Sequence, residues 1–245
     1  MRNSDEWTSF QSINARRRAV RDFDGSPVSD ADVRAILHEA LLAPSSGNLQ
    51  PYELHWVRDP EVKRALAVAC EGQRAAETAG TLVVVVGRIE VGVRTADAQH
   101  AYVESSGLDE RSKSYHRAQL RKFRTFLRFA PLLCWSPIQA LLALLFPSLT
   151  LLPVGSGGVR HWVARSSIYA AQTLLLAAAA RGLDACPMEG FSPRHVAKIL
   201  GLPRGAVVPI VIALGRRAET ARIEPRWRRS FDDAVVLHGR DDRVA

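Results

Sequence analysis

Cysteine is scarce in this 245-residue chain, and the three cysteines that occur are far apart in the sequence. Cys70, Cys134 and Cys186 form no Cys-x-x-Cys pair and have no metal-ligand spacing. An odd, sparse cysteine count argues against a disulfide framework and is typical of a reducing compartment. The sequence therefore predicts a cytoplasmic protein with no metal site.

Targeting and nucleotide-loop signals are missing as well. The first seven residues are polar, which argues against a secretory signal. No Gly-x-Gly-x-x-Gly or phosphate-loop motif occurs, and Gly155–Gly158 matches neither, so we expect a flexible connector there. These absences exclude the common glycine-rich dinucleotide and triphosphate sites.

Acidic residues are outnumbered, with 33 Lys and Arg against 25 Asp and Glu, a net charge of +8 and a pI near 10.0. A basic protein favours anionic partners such as nucleotides, phosphates or anionic lipids. No zinc-finger, RNP or helix-turn-helix signature accompanies the basic clusters, so we expect no nucleic-acid partner.

One long stretch has no formal charge, the 26 residues Phe129 to Val154. Four prolines interrupt it and leave Ile138 to Phe146 as its longest unbroken apolar segment. Nine helical residues rise about 13–14 Å, which is less than half of a hydrocarbon core. We therefore expect a buried or interfacial hairpin and no spanning helix.

The remaining patterns alternate between helices and strands. Ser29 is expected to cap a helix that continues to Pro44, and Gly182 to end an apolar helix. Thr81 to Val86 is a β-branched run that predicts a buried central strand. The other predicted helices are Trp7–Ala19, Glu61–Ala76, residues 91–128, Ser166–Arg181 and one from Pro193 to Gly201. The other predicted strands are Glu53–Val57 and Ala206–Leu214, and Cys186–Phe191 is predicted to be a loop.

Two polar motifs could carry chemistry. The segment Arg17-Arg-Ala-Val-Arg21-Asp-Phe23 places guanidinium groups, which match phosphate geometry, close together. The stretch Ala43 to Tyr52 combines two prolines, a glycine, hydroxyls and amides, so it predicts a rigid polar loop suited to a flat, polar-edged ligand. Taken alone, the first could be a solvated basic face and the second a turn between a helix and a strand.

The two motifs in this order resemble the FMN-dependent nitroreductase family. The order continues with the strand Leu82–Val86, the Ala/Leu-rich helix with Gln172, Arg181–Ala185, Pro187–Phe191, Ile199–Pro203, the strand Val207–Leu214 and Arg226–Asp233. The resemblance covers about residues 10–90 and 160–237. It implies an α+β fold with a mixed sheet flanked by helices, and an intertwined homodimer that holds two FMN molecules between its subunits.

The resemblance also implies which residues hold FMN. Arg17 and Arg18 would lie near the phosphate and ribityl chain, and Arg21 near the N1/O2 edge. The other implied contacts are Gln73 at the pyrimidine edge, Glu189 and Gly190 facing N5 and O4, Arg226 and Arg228 at the phosphate, and Pro44, Ser45, Ser46 and Asn48 from the partner subunit. Ala19 replaces the serine usual in the family. No protein residue is expected to be catalytic, because the flavin carries the hydride chemistry.

We expect a single domain over residues 10–237 with a basic and apolar insertion at about 105–160. The insertion could be a lid, a dimer arm or a segment that contacts the membrane through residues 117–154. The predicted function is NAD(P)H-driven, two-electron reduction of an aromatic or lipophilic acceptor of the nitroaromatic or quinone type. The alternatives are a non-catalytic flavin- or nucleotide-binding protein and a membrane-surface interaction protein.

Overall fold

The computed structural model describes residues 2–129 and 155–238. The predicted hairpin between Phe129 and Val154 therefore lies outside the described residues. Within them, no helix is long and apolar enough to cross a membrane. The described helices are α1 (Arg2–Arg16), α2 (Asp30–Leu41), α3 (Pro60–Ala69), α4 (Arg74–Thr78), α5 (Ile89–Ser105), α6 (Glu110–Phe129), α7 (Gly155–Ala180), α8 (Pro193–Ile199) and α9 (Phe231–Ala234). The strands are β1 (Tyr52–Val57), β2 (Thr81–Gly87), β3 (Asp184–Met188) and β4 (Val207–Gly215).

The four strands form one sheet in the order β1-β2-β4-β3, and each neighbouring pair is antiparallel. Within the described ranges, the expected parallel component is limited to an isolated bridge between Ala19 and Ala185. The β-branched run predicted to be a central strand is β2, which is confirmed. It is buried along its whole length because both faces of the sheet are covered.

Each face of the sheet carries its own hydrophobic cluster. Leu82, Val84 and Val86 point to one face, where α3, α4 and α8 pack. Val83 and Val85 point to the other face, where α2 and α7 pack. A third cluster joins α5, α6 and the first half of α7, with Leu120, Leu127 and Trp162 as its large members. The fold is therefore the expected α+β sheet flanked by helices.

The residues predicted to begin α2 and to end α7 are confirmed. Ser29 caps α2, and its hydroxyl accepts a hydrogen bond of 3.1 Å from the backbone N–H of Asp32, as predicted. The helix ends at Leu41 rather than at Pro44. Gly182 follows α7 with a φ of 83° and closes that helix, also as predicted.

Further predicted boundaries are wrong. The predicted helix over residues 91–128 is two helices, α5 and α6, which are separated by residues 106–109. The predicted helix over Glu61–Ala76 is two helices, because Glu71 (φ 58°) and Gly72 (φ 65°) turn the chain after Ala69. Gly72 donates back to the carbonyl of Ala67, which closes α3. The helix α1 ends at Arg16, so the arginine segment that follows it is extended.

The other two errors concern α7 and β3. The expected connector Gly155–Gly158 is the first turn of α7, where packing of Val159 and Trp162 overrides the weak helix propensity of glycine. Residues 186–188 belong to strand β3 rather than to a loop. Pro187 is compatible with that strand because β3 is an edge strand.

Candidate functional site

An arginine pocket is the first part of the site, and we define it by the segments 17–21 and 222–228. The pocket has a volume of about 310 Å³. It is lined by Arg17, Arg18, Ala19, Arg21, Arg222, Ile223, Glu224, Pro225, Arg226, Trp227 and Arg228. The structure thus brings together all five arginines that the sequence assigned to the phosphate end and the N1/O2 edge of a flavin.

The C-terminal wall of the pocket is held in place by the end of α1. The guanidinium of Arg226 donates to the carbonyl oxygens of Asn14 (3.2 Å), Ala15 (2.8 Å) and Arg17 (2.6 Å). The last carbonyls of a helix lack partners within the helix, so a cation placed there is favourable. Arg18 also donates to the backbone carbonyl of Glu224. These contacts lay residues 222–228 over the arginine segment.

The pocket contains positive charge that nearby acids do not neutralise. Burial is the main cause of a lowered pKa at Arg17. Arg226, Arg228 and Arg18 add electrostatic repulsion that lowers this pKa further. The only carboxylate lining the pocket is that of Glu224, and Arg222 lies 2.5 Å from it. The five predicted arginines make no ion pair within the described residues, so the pocket is suited to an anion.

Gln73, Glu189 and Gly190 form a second group beside this pocket. The side-chain amide of Gln73 donates to the carbonyl oxygen of Gly190. The loop after β3 is also tied to α3, because the N–H of Ser192 donates to the carbonyl of Ala69 at 2.8 Å. Glu189 and Gly190 are exposed. The loop therefore presents its backbone to the surface next to the amide side chain of Gln73.

The arginine segment and this loop are joined through β3. Val20 donates to the carbonyl of Ala185 at 3.2 Å, which attaches the arginine segment to the strand that leads into Glu189. Arg74, which directly follows Gln73, pairs with Asp22 at 3.0 Å. Burial raises the pKa of the Cys186 thiol, and the charge of Arg21 partly opposes this. We call this assembly, the arginine pocket with Gln73, Glu189 and Gly190, the arginine half-site.

The loop after α2 is the last predicted part of the site, and its backbone is unusual. Gly47, Asn48 and Gln50 have φ values of 61°, 53° and 42°, so three of four consecutive residues are left-handed. The Ser45 hydroxyl accepts a 2.9 Å hydrogen bond from the N–H of Gln50. Only glycine fits at position 47, because a Cβ there would lie 2.7 Å from the Phe123 ring on α6.

This loop does not join the arginine half-site within one chain. It leads into β1, whereas the loop of Glu189 follows β3, and these are the two opposite edge strands of the sheet. Three interstrand spacings, about 14 Å, separate the two strands. The loop lines a different cavity, and its residues Pro44, Ser46 and Asn48 are exposed. We call Pro44, Ser45, Ser46 and Asn48 the loop half-site.

The cavity beside the loop half-site was not identified from the sequence. It has a volume of about 380 Å³ and lies between the loop, α5 and α6. Its lining is Gly47, Asn48, Gln99, Tyr102, Val103, Leu108, Tyr115, His116, Gln119, Leu120 and Phe123. The spacing of Tyr115, Gln119 and Phe123 at i, i+4 and i+8 puts them on one face of α6, and this periodicity was the available signal. We call this space the aromatic cavity.

Comparisons with known proteins agree with this architecture. A family model described as the nitroreductase family matches residues 15–216, which includes both half-sites except the segment 222–228. A protein of Thermus thermophilus named NADH dehydrogenase is 33% identical over 205 residues, covering 83% of this chain and 84% of the relative.

Solved structures show the same fold. A protein described as the nitroreductase ydfN of Bacillus subtilis aligns with a TM-score of 0.76 at 22% identity, covering 95% of this chain and 100% of that one. A protein from Exiguobacterium sibiricum, described as a nitroreductase in complex with FMN, aligns with a TM-score of 0.72 at 22% identity, covering 94% and 97%. The chain belongs to the nitroreductase family.

Proposed function

We propose that this protein is an FMN-dependent oxidoreductase that takes electrons from NAD(P)H and transfers two of them to an aromatic or lipophilic acceptor. The observation that carries the proposal is the arginine pocket, in which five guanidinium groups converge and none is paired with a carboxylate of residues 2–129 or 155–238. A phosphate dianion would offset two of these five positive charges. The relative named NADH dehydrogenase and the structure described as an FMN complex support the same choice of donor and cofactor.

The residues of the arginine half-site fit the parts of FMN in a defined order. Arg17, Arg18, Arg226 and Arg228 would hold the phosphate and the ribityl chain. Arg21 lies closer to β3, since its charge acts on Cys186, and would stabilise negative charge at the N1/O2 edge. FMN, when bound, supplies the hydride chemistry. The protein therefore needs residues that bind and orient the ring, and we assign no nucleophile or general base.

Three further groups would contact the ring. Gln73 would hydrogen-bond to the pyrimidine edge, and the backbone of Glu189 and Gly190 would face N5 and O4. The side-chain amide of Gln73 donates to the carbonyl oxygen of Gly190, so the two residues lie close enough to contact the same ring. An amide side chain and backbone groups provide both donors and acceptors, which a pyrimidine edge requires.

We propose that the loop half-site acts in a second subunit of a homodimer. The two half-sites lie in separate cavities of one chain, so a ring contacted by both needs two copies. Apolar side chains are exposed on several elements, among them Trp7 on α1 (60% exposed), Tyr169 on α7 (52%) and Trp227 (76%). Exposed apolar surface of this kind is typical of a face that a partner covers.

The aromatic cavity is the proposed acceptor site. It adjoins Asn48 of the loop half-site, and it offers the rings of Tyr102, Tyr115 and Phe123. Aromatic side chains stack on flat conjugated molecules, and the amides Gln99 and Gln119 can bind polar substituents such as nitro or quinone oxygens. This arrangement supports a nitroaromatic or quinone as the acceptor.

The region of about 105–160 is proposed to be an insertion in a single domain that spans residues 10–237. Its described part, α6, forms one wall of the aromatic cavity, which supports the role of a lid. Peripheral membrane contact through residues 117–154 is a proposal that vesicle flotation tests. The cytoplasm is the proposed compartment, and the two described cysteines, Cys70 and Cys186, are free thiols, which agrees with a reducing environment.

The decisive experiment is an absorbance spectrum of the purified protein followed by anaerobic stopped-flow reduction. We expect a yellow protein that NADH or NADPH bleaches, and that a quinone or nitroaromatic reoxidises. Flavin that is bound but not reduced by either nicotinamide would favour a non-catalytic flavin-binding protein. A colourless protein that takes up no added FMN would overturn the proposal.

Replacing Tyr115 tests the acceptor site separately. Tyr115→Ala removes a ring that lines the aromatic cavity, and we expect KM for a nitroaromatic to rise about tenfold. The rate of flavin reduction by the nicotinamide should stay unchanged in an excess of the donor. Tyr115→Phe is the matched control, because it keeps the ring and removes only the hydroxyl that accepts from Gln119 at 2.9 Å. An unchanged KM in Tyr115→Ala would exclude this cavity as the acceptor site.

A further inference from the structure

A second basic cavity lies between α5 and α6, away from the arginine pocket. We call it the α5–α6 groove. Its volume is about 370 Å³. It is lined by Ala96, His100, Arg117, Leu120, Arg121, Arg124, Thr125 and Arg128. Four arginines of one helix therefore face a single cavity that the proposed electron transfer does not use.

The four arginines form a stripe along α6. Arg117, Arg121, Arg124 and Arg128 are spaced i, i+4, i+7 and i+11, which places them within about 60° of one another around the helix. Leu120 and Leu127 of the same helix are buried, so this side of α6 is fixed by packing. Core packing of α6 therefore determines where the four arginines lie along the groove.

The acidic residues of α5 neutralise only half of the stripe. Arg117 makes two contacts with the Glu104 carboxylate, at 2.5 and 2.7 Å, and lies 3.3 Å from Glu110. Arg124 lies 2.6 Å from Asp97. These ion pairs offset the charge of two of the four guanidinium groups.

The other two arginines, Arg121 and Arg128, are exposed and pair with no carboxylate among residues 2–129 and 155–238. The stretch Phe129 to Val154, which follows α6 directly, contains no Asp or Glu that could neutralise them. His100 also lines the groove, 3.9 Å from the Glu104 carboxylate. Within the part of the chain that the structure describes, the groove thus has two positive charges without a carboxylate partner.

We propose that the α5–α6 groove binds a phosphate group that is part of a larger ligand, as a phosphomonoester or a phosphodiester. Guanidinium forks match phosphate oxygens in pairs, and the Thr125 hydroxyl lines the same groove. The group could belong to the headgroup of an anionic phospholipid or to a soluble phosphorylated molecule, and both present the same oxygens. The proposal does not depend on FMN or on the acceptor.

Two probes distinguish these sources in the full-length protein. Flotation with vesicles of equal parts phosphatidylglycerol and phosphatidylcholine measures headgroup binding, with pure phosphatidylcholine vesicles as the reference. Titration calorimetry with inorganic pyrophosphate measures binding of a free phosphate. The stripe variant is Arg121→Gln/Arg128→Gln. The matched control is Arg111→Gln/Lys122→Gln, which removes the same charge from exposed positions on a different face of α6, roughly 110–130° around the helix from the stripe.

The stripe variant should bind at least one probe about 30-fold more weakly. Each basic residue beside an anionic surface contributes about 1 kcal/mol to binding, and the variant loses two of them. The control should stay within about twofold of the wild type, because its two charges lie outside the groove. Loss in the vesicle experiment alone identifies a lipid headgroup, and loss with pyrophosphate identifies a soluble phosphate. Both outcomes support the groove as a phosphate site.

Two results would overturn the proposal. One is a wild-type protein that binds neither probe. The other is an equal loss in the stripe variant and in the control, which would show attraction by net charge alone. Both variants should keep the thermal midpoint of the wild type, because the substituted residues are exposed. The single change Arg121→Gln, with an expected loss of about fivefold, replaces the double variant if the latter does not fold.

Discussion

Flavin binding by mixed dimers provides the sharpest test of how the site is built. One subunit carries Arg17→Gln/Arg21→Gln, which damages the arginine half-site. The other carries Ser46→Ala/Asn48→Gly, which damages the loop half-site. Glycine is used at position 48 because Asn48 has a φ of 53°, and alanine would add backbone strain to the loss of the side chain.

The expected losses follow from the contacts removed. Two charge-assisted hydrogen bonds are together worth about 3–6 kcal/mol, so the arginine variant should bind FMN about 10²- to 10⁴-fold more weakly. The neutral loop contacts are worth about 1–3 kcal/mol in total, or about 5- to 160-fold. At a free FMN concentration equal to the wild-type Kd, each variant alone should be nearly empty.

The mixed dimer should behave differently from both parents. If each site combines the arginine half-site of one subunit with the loop half-site of its partner, one of the two sites contains both changes and the other contains neither. Dimers co-expressed with two affinity tags and purified through both should therefore bind about half as much FMN as the wild type. Flavin fluorescence after equilibrium dialysis measures this occupancy.

A mixed dimer that binds no more FMN than its parents would refute the division of the site between subunits. A monomeric protein that binds FMN would refute it as well. Arg194→Gln is the charge control, because Arg194 is exposed on α8 and lines neither half-site. It should bind FMN like the wild type. Light scattering confirms that all of the variants remain dimers.

Three further predictions concern stability and reactivity. Arg17→Gln should stabilise the FMN-free protein by on the order of 0.5 kcal/mol after solvent screening, because it relieves the repulsion from neighbouring arginines. A lower free energy of unfolding in urea would contradict this. Ser29→Ala should cost about 1 kcal/mol at neutral pH through loss of the α2 cap. The hydrogen bond from the Ser29 hydroxyl is the main cause of a lowered pKa at Asp32, so its contribution to stability is present above the unfolded pKa of that carboxyl and is lost as pH falls through the folded one, while the cap bond from the Asp32 N–H remains. The cost of Ser29→Ala should therefore shrink in acid, and a cost of unchanged size there would exclude this linkage. Burial raises the pKa of Cys70 to about 11 and also raises that of Cys186, so neither thiol should react with iodoacetamide at neutral pH until the protein is unfolded, as peptide mass mapping would show.

Sequence patterns with a local physical cause predicted the structure well. The cap at Ser29, the C-terminal glycine at 182 and the β-branched run of β2 each depend on residues that are adjacent in the chain. The strand β3 was missed because it is short and contains Pro187, and only its pairing with β4 makes it a strand. The first turn of α7 was missed for a related reason, since its glycines are helical through tertiary packing.

The residues of the candidate site could be named from the sequence, but their grouping could not. The motifs at Arg17–Arg21 and Ala43–Tyr52 are local, and their order along the chain carries the resemblance to the nitroreductase family, which the comparisons confirm. Nothing in the order shows that Arg226 caps α1 and lies over Arg17, because these residues are separated by 209 positions.

The sequence by itself indicated the family and the fold class, because the order of its motifs resembles the nitroreductase family, and it contains the residue types available to bind an anion. Only the tertiary structure decided that the arginine pocket and the loop half-site lie in separate cavities. It also showed that α5 and α6 enclose both the aromatic cavity and the α5–α6 groove. The physical reason is that a cavity is lined by side chains from distant segments, and their meeting depends on how the sheet and helices pack.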